Sequence, residues 1–219
     1  IDSSDADGFG NLEVSPPLPG WPEGRVLYGI GPDGPPDPDI LRLLDASNRQ
    51  GPLGIDTSWL CVGHIDELLS FVPDPGGPRG FVALVPDPLA ALRALSRSGS
   101  PAAPLDPGLV AFNEGLARVE MVALRRALID RLGLLPAELR PLPVLFEPSA
   151  SFDAGPCGAG TVYPNPLNLL AVLDAGGHGV VLVPDPFARA DGDPPERDAL
   201  IPGIVAAMPA ALELRFVDT

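Results

Sequence analysis

The strongest constraint on the fold of this chain is a phrase that it uses twice. Phe81-Val82-Ala83-Leu84-Val85-Pro86-Asp87-Pro88 runs into the helical spacing of Leu89 to Leu95. Val180-Val181-Leu182-Val183-Pro184-Asp185-Pro186 runs into a loop and then a helix-like stretch from Arg197 to Met208. A looser third unit opens on Arg25 to Ile30, crosses a Pro/Gly/Asp loop and continues into Asp39 to Asp45. Each unit reads as a buried strand, an Asp/Pro helix start and an amphipathic helix. A longer helix, about Asn113 to Leu132, is expected between the second and third units, because Leu116, Val119, Val122, Ile129 and Leu132 fall at helical spacing. Short strands are expected at Leu142 to Phe146 and Thr161 to Tyr163, with a helix from Pro166 to Asp174 stopped by Gly176-Gly177. Strands and helices alternate throughout, so the class is α/β, and no low-complexity linker divides the chain.

The first helix is followed by a strand and then by the turn carrying His64 and Asp66. The last helix is followed by Leu212 to Asp218, so internal analogy expects another site-bearing turn where the chain stops. With 219 residues, 45% of them hydrophobic, the chain can bury the core of one domain or of a large part of one.

Charge narrows the partners. A net charge of -15 argues against nucleic acid, whose phosphates it would repel. It favours arginine or lysine side chains, basic peptides or calcium, with solubility alone as the competing explanation. All 14 basic residues are arginine, and with 30 Pro and 25 Gly this reads as the coding bias of a GC-rich genome rather than as disorder. No segment is long and apolar enough to span a membrane, and no signal peptide is recognisable. The expected compartment is cytoplasmic. Secretion stays open, because a chain starting at Ile1 reads as a processed or excised piece.

The chemistry-bearing residues concentrate in Trp59-Leu60-Cys61-Val62-Gly63-His64-Ile65-Asp66-Glu67, which leads into the apolar run Leu69 to Val72. If that run is a strand, alternation directs His64 and Asp66 to one face. An imidazole beside an anion is what proton transfer on a cationic group such as guanidinium requires. A histidine near a strand is more commonly a packed, hydrogen-bonded residue, and the motif alone does not choose between the two. Its flanks add that Gly63 permits close backbone approach and that Trp59 can wall an apolar cleft. They add too that the adjacent acids Asp66 and Glu67 need a cation or hydrogen-bond donors if buried.

The segment Asp2 to Glu13 holds Asp2, Asp5, Asp7 and Glu13. With glycines at Gly8 and Gly10 and the carbonyls around Phe9 and Leu12, it offers either an oxygen-rich calcium site or a solvated acidic terminus. Cys61 and Cys157 form neither a disulfide framework nor a metal cluster. Cys61 is expected to be a small buried residue, and Cys157 has no adjacent base. His178 reads as a turn histidine. Asn165 reads as the N-cap of a helix, with Asn168 in the first turn; the competing reading has both lining a cleft with their amides.

Two of these stretches, Phe9-Gly10-Asn11-Leu12-Glu13-Val14-Ser15-Pro16-Pro17 and Trp59 to Pro73, closely resemble the catalytic domain of the protein-arginine deiminases. Pro143-x-Leu145-Phe146 and Pro164-Asn165-x-x-Asn168-Leu169-Leu170 fit the same domain in the same order. The resemblance covers nearly the whole chain and implies one partial catalytic domain over residues 1–219. The implied fold is the pentein-type α/β propeller of ββαβ repeats. The implied activity is calcium-dependent hydrolysis of peptidyl-arginine to citrulline and ammonia, through a covalent cysteine intermediate.

By this resemblance His64 matches the general acid/base and Asp66 one of two guanidinium-binding aspartates. Trp59, Val62 and Gly63 match the substrate-binding surroundings. Glu13 and the main-chain carbonyls of Phe9 and Leu12 match calcium ligands. The family's nucleophilic cysteine and its other aspartate are expected beyond Thr219 and before Ile1, so this chain is not expected to turn over by itself. The implied partner is an arginine-containing protein or peptide, with neither nucleic acid nor membrane. The competing reading is a catalytically inactive pentein-fold module that binds arginine-containing peptides or calcium.

Overall fold

The computed structural model describes residues 5–46, 49–98, 105–151, 155–173 and 179–218, with backbone only at Asp5, 150–151 and 155–157. Three of its sheets share one construction. β1 (Leu12–Val14) pairs antiparallel with β2 (Val26–Ile30), and β2 pairs parallel with β3 (Leu53–Asp56) after the crossover helix α1 (Pro38–Ala46). β4 (Ser70–Pro73) pairs antiparallel with β5 (Phe81–Pro86). The chain then passes through α2 (Pro88–Ser98), α3 (Pro107–Arg118) and α4 (Glu120–Asp130) before β6 (Leu139–Leu142) returns parallel to β5. β7 (Phe146–Ser151) and β8 (Gly155–Thr161) form a separate antiparallel hairpin. β9 (Leu170–Leu173) then pairs antiparallel with β10 (Gly179–Pro184), and β11 (Leu212–Val217) returns parallel to β10 after α5 (Ile201–Ala207). The expected α/β class and its three units are therefore present as three ββαβ sheets. A closed propeller is not seen among the described residues.

Asp-Pro pairs start the helices by a common device. Proline fits the first helical position, where no N–H is required, and the aspartate oxygen accepts N–H groups that the first turn leaves open. Asp37 accepts from the Asp39 N–H at 2.7 Å, and Asp87 accepts from the Ala90 N–H at 3.0 Å. Asp106 accepts from Gly108 and Leu109 at 2.8 and 2.9 Å. Asp185-Pro186 breaks the pattern. Asp185 accepts from the Phe187 N–H at 2.8 Å, Phe187 takes a left-handed φ of 50°, and the helix is deferred to Ile201. Arg189 stabilises this loop by donating to both Asp185 and Asp198, all three side chains being at most 10% exposed.

Two sequence expectations are corrected. The helix expected from Pro166 to Asp174 is a turn followed by strand β9. Leu169 to Leu173 is an apolar run without polar spacing, and pairing of Leu170 to Leu173 against Leu182 to Gly179 decides its conformation. Gly176, Gly177 and His178 lie outside the described residues. The long helix expected over Asn113 to Leu132 is two helices, broken at Val119 (φ −107°, ψ −69°), which lets α3 pack on β7 and α4 on β3.

The core is continuous across the sheets, and all six residues of β5 are buried, as expected of a central strand covered on both faces. A second buried ion pair joins the β4–β5 turn to the residue just before β6. Glu138 is fully buried and accepts from Arg79 through Nε at 2.6 Å and also through Nη2, and from the Leu135 N–H at 2.8 Å. Burial works against the charged carboxyl, but the Arg79 hydrogen bonds and the Leu135 N–H outweigh it and hold the group below its usual range. Glu138→Ala is expected to destabilise the fold by about 3–5 kcal/mol, because it strands the partly buried Arg79 charge. Urea unfolding of the variant checks this, and a loss within error of zero contradicts it.

Candidate active site

His64 stands on a turn, not on a strand. Residues Ile65–Glu67 form one 3-10 turn after β3, and His64 precedes it in extended conformation (φ −85°, ψ 149°). β4 begins only at Ser70. The turn is fastened into the core because Ile65, Leu68 and Leu69 are each 0% exposed, and Asp66 and Glu67 between them are half-buried. Gly63 takes φ 80°, and a Cβ there would lie 2.7 Å from the Gly31 Cα and 2.8 Å from the Pro32 Cδ, so the expected close backbone approach is real.

Strand alternation is thus the wrong route to a correct outcome: the side chains of His64 and Asp66 do converge. A Cβ built on Gly10 would lie 2.7 Å from Asp66 Oδ2 and 2.8 Å from His64 Nδ1. Both groups therefore press on the Phe9–Glu13 segment at the one residue that has no side chain. The two adjacent acids diverge in role. Glu67 turns back and accepts the His64 N–H at 3.0 Å, while Asp66 faces His64. Burial raises the carboxyl of Asp66, and the neighbouring imidazole partly offsets this. Burial also raises Glu67, against the lowering effect of its bond from the His64 N–H.

Glu13 shows the largest effect. Burial pushes its carboxyl up to about 7, opposed by the Val14 N–H and reinforced by the charge of Asp66. The carbonyl of Phe9 accepts the Leu12 N–H, which leaves it a second lone pair, and the Phe9 ring is 96% exposed. Glu13 also lines a cavity of about 540 Å³ walled by Phe71, Arg79, Phe81 and Leu173, and His64 and Asp66 stand outside it. Asp2 and the side chain of Asp5 lie outside the described residues, and Asp7 accepts from the Asp37 N–H at 2.8 Å. Among the described residues no three His, Cys, Asp or Glu side chains group as metal ligands. Among the described residues, what this segment offers a cation beside the His64 turn is Glu13 together with main-chain oxygens.

Trp59 is half-buried and packs edge-on against Phe146, with ring centroids 5.3 Å apart, and Val62 is 45% exposed beside the His64 turn. Cys61 is half-buried and disulfide-bonded rather than a small buried thiol. The side chain of Cys157 lies outside those described.

Two polar residues near the turn, Asn11 and Thr57, escaped the sequence reading of the site, and a third, Asn165, was read as a helix cap. Asn11 is fully buried and its carboxamide oxygen accepts from Ile65 N–H. The hydroxyl of Thr57, also fully buried, donates to the Gly63 carbonyl. Asn165 caps no helix: its side chain accepts the Leu167 N–H at 3.0 Å and donates to the Glu67 carbonyl at 2.9 Å, from 98 residues away. The available signal was a buried Asn or Thr within an apolar frame, which must spend its hydrogen bonds on backbone.

Comparison with known proteins gives the family of the chain. The protein-family description "Protein-arginine deiminase (PAD)" matches residues 2–102, which include both the Phe9–Glu13 segment and the His64 turn. Protein-arginine deiminase type-4 of Mus musculus is 33% identical over 193 residues, covering 76% of this chain and 29% of that protein. Type-4 of Rattus norvegicus is 31% identical over 208 residues, covering 83% of this chain and 30% of that protein. Type-3 of Homo sapiens is 33% identical over 174 residues, covering 66% and 26%. The chain spans less than a third of the length of these relatives. With identities above 30% over three quarters or more of the chain, the chain belongs to the protein-arginine deiminase family.

Proposed function

We propose that this chain carries part of the active site of a calcium-dependent enzyme that hydrolyses peptidyl-arginine to peptidyl-citrulline and ammonia. The observation that carries the reading is the convergence of His64 and Asp66 on Gly10, inside a segment shared with the deiminases. Asp66 holds the substrate guanidinium by charge-assisted hydrogen bonds, together with a second carboxylate from elsewhere in the protein. A cysteine thiolate from elsewhere in the protein attacks the guanidinium carbon, and His64 gives its proton to the departing ammonia. His64 then takes a proton from water, which attacks the covalent thiouronium carbon. Cleavage of the C–S bond, with the hydroxyl proton released to solvent, where it protonates the ammonia, leaves the citrulline carbonyl and returns the thiolate. Trp59, Val62 and Gly63 flank the substrate. Three ββαβ sheets support a pentein-type propeller in the intact domain.

His64→Gln in the full-length protein is expected to lower kcat for a peptidyl-arginine substrate by about 10²–10⁴-fold. Citrulline assayed by colour formation checks this, and unchanged turnover removes His64 from the reaction. Peptide or calcium binding without any citrulline from the wild type would instead favour the inactive binding module.

The proposed calcium ligands are Glu13 and the carbonyls of Phe9 and Leu12. A buried carboxyl pushed up to about 7 is one whose charge lacks a partner, which suits a hard, oxygen-seeking cation. When bound, calcium supplies fixed positive charge there, and the Phe9–Glu13 segment is held against the His64 turn.

The pH dependence follows from the raised value. Between pH 4.5 and 7 the folded protein holds the Glu13 proton more tightly than the unfolded chain does. Without metal, stability therefore falls as pH rises through this window, by up to about 3 kcal/mol at pH 8. Glu13→Gln, which cannot ionise, is expected to be more stable than wild type at pH 8 in chelator, with the difference vanishing towards pH 4.5. Added calcium should raise the melting temperature of wild type and not of the variant. Parallel unfolding curves at both pH values, with and without calcium, decide the matter.

A further inference from the structure

We propose that Asn11 and Thr57 are positioning residues that set the backbone of His64 through the two peptide units flanking it. The proposal rests on the reading of His64 as the acid/base. On one side, the Thr57 hydroxyl donates to the carbonyl of Gly63, the residue before His64. On the other, the Asn11 carboxamide oxygen accepts the N–H of Ile65, the residue after it, at 3.2 Å. The N–H of His64 itself goes to Glu67 at 3.0 Å, so each peptide group next to the imidazole has a side-chain partner.

Asn11 is fully used. Its oxygen also accepts the Gly29 N–H at 2.7 Å, and its NH2 donates to the carbonyls of Ala6 at 2.9 Å and Gly29 at 3.1 Å. It therefore joins three segments: the turn before Phe9, strand β2 and the His64 turn. Gly29 makes the junction possible. A Cβ there would lie 2.4 Å from the Gly63 oxygen, 2.5 Å from Asn11 Oδ1 and 2.6 Å from Thr57 Oγ1. Three polar atoms that fix His64 thus meet over one glycine, and Asn11 and Thr57 are both 0% exposed, so water cannot replace either bond. Because Asn11 lies within the Phe9–Glu13 segment, ordering that segment orders His64 as well.

The test uses the full-length protein. Thr57→Val keeps the side-chain volume and removes the hydroxyl, whereas Thr57→Ser keeps the hydroxyl. Thr57→Val is expected to lose at least about tenfold in kcat with KM for a peptidyl-arginine substrate nearly unchanged, and Thr57→Ser to regain most of it. Wild-type kcat in folded Thr57→Val, or an equal loss in Thr57→Ser, overturns the proposal.

Amide hydrogen exchange gives a readout independent of turnover. In Thr57→Val, and in Asn11→Ala where it folds, the His64 and Ile65 amides are expected to exchange at least about tenfold faster than in wild type, with Leu84 of β5 unchanged. Unchanged exchange at His64 and Ile65 overturns the positioning role. If the wild-type protein makes no citrulline, the deiminase reading fails on that result, and exchange alone decides the positioning role.

Discussion

The candidate site depends on the absence of a side chain at position 29. Gly29 lies in β2, paired with Ile55 of β3, and its Cα faces the Gly63 carbonyl, the Asn11 carboxamide and the Thr57 hydroxyl at distances that no Cβ would allow. Alanine there would force apart three segments that the core otherwise clamps together. Gly10 and Gly63 repeat the arrangement on either side: one makes room for Asp66 and His64, the other for the Gly31–Pro32 backbone. The three glycines lie 19 and 34 residues apart in sequence. Each marks a place where two elements come closer than side chains permit, and together they bring the Phe9–Glu13 segment, β2 and the His64 turn into one polar junction.

Apolar anchoring and buried charge oppose each other in this junction. Ile65, Leu68 and Leu69 draw the turn into the core, and in doing so take Asp66 and Glu67 partly out of water. Glu67 recovers part of that cost from the His64 N–H. Asp66 recovers part of it from the imidazole and from backbone N–H groups, yet both stay raised, as does Glu13 at about 7. All three carboxyls of the junction, Glu13, Asp66 and Glu67, are therefore held above their usual values by burial. Glu138 and Asp185 show the opposite case, since the arginines beside them hold their carboxyls below the usual values; the proposed cation would play that part for the carboxyls of this junction.

The repeated strand-Asp-Pro-helix phrase made the fold largely legible, because the Asp-Pro device is local: aspartate oxygen and proline ring act within three residues of each other. Where the outcome depended on distant partners, local reading failed. Leu170–Leu173 has no periodicity of its own and takes strand form from β10. Val119 breaks a helix because α3 and α4 pack on different strands. In the site, His64, Asp66 and Glu13 were legible as chemistry-bearing types in long motifs. Asn11, Thr57 and Asn165 were not, since their partners are backbone atoms 18 to 98 residues away or in a turn whose shape the sequence does not declare.

The contrast between Asp87 and Asp185 shows how one repeat can serve two ends. Both follow a buried strand ending in Val-Pro, and both accept an N–H from the residues after the proline. Asp87 caps a helix at once, and its ion pair with Arg93 is loose at 3.7 Å and partly exposed. Asp185 grips Arg189 inside the protein, forces Phe187 into left-handed geometry, and holds open an excursion of more than a dozen residues before α5. The His64 turn belongs with the second kind. It too is an irregular connection beside a parallel strand pair, held by side chains that reach backbone groups. In this architecture the strands and helices repeat, and the places where the repeat is broken are where polar groups are brought inside and fixed.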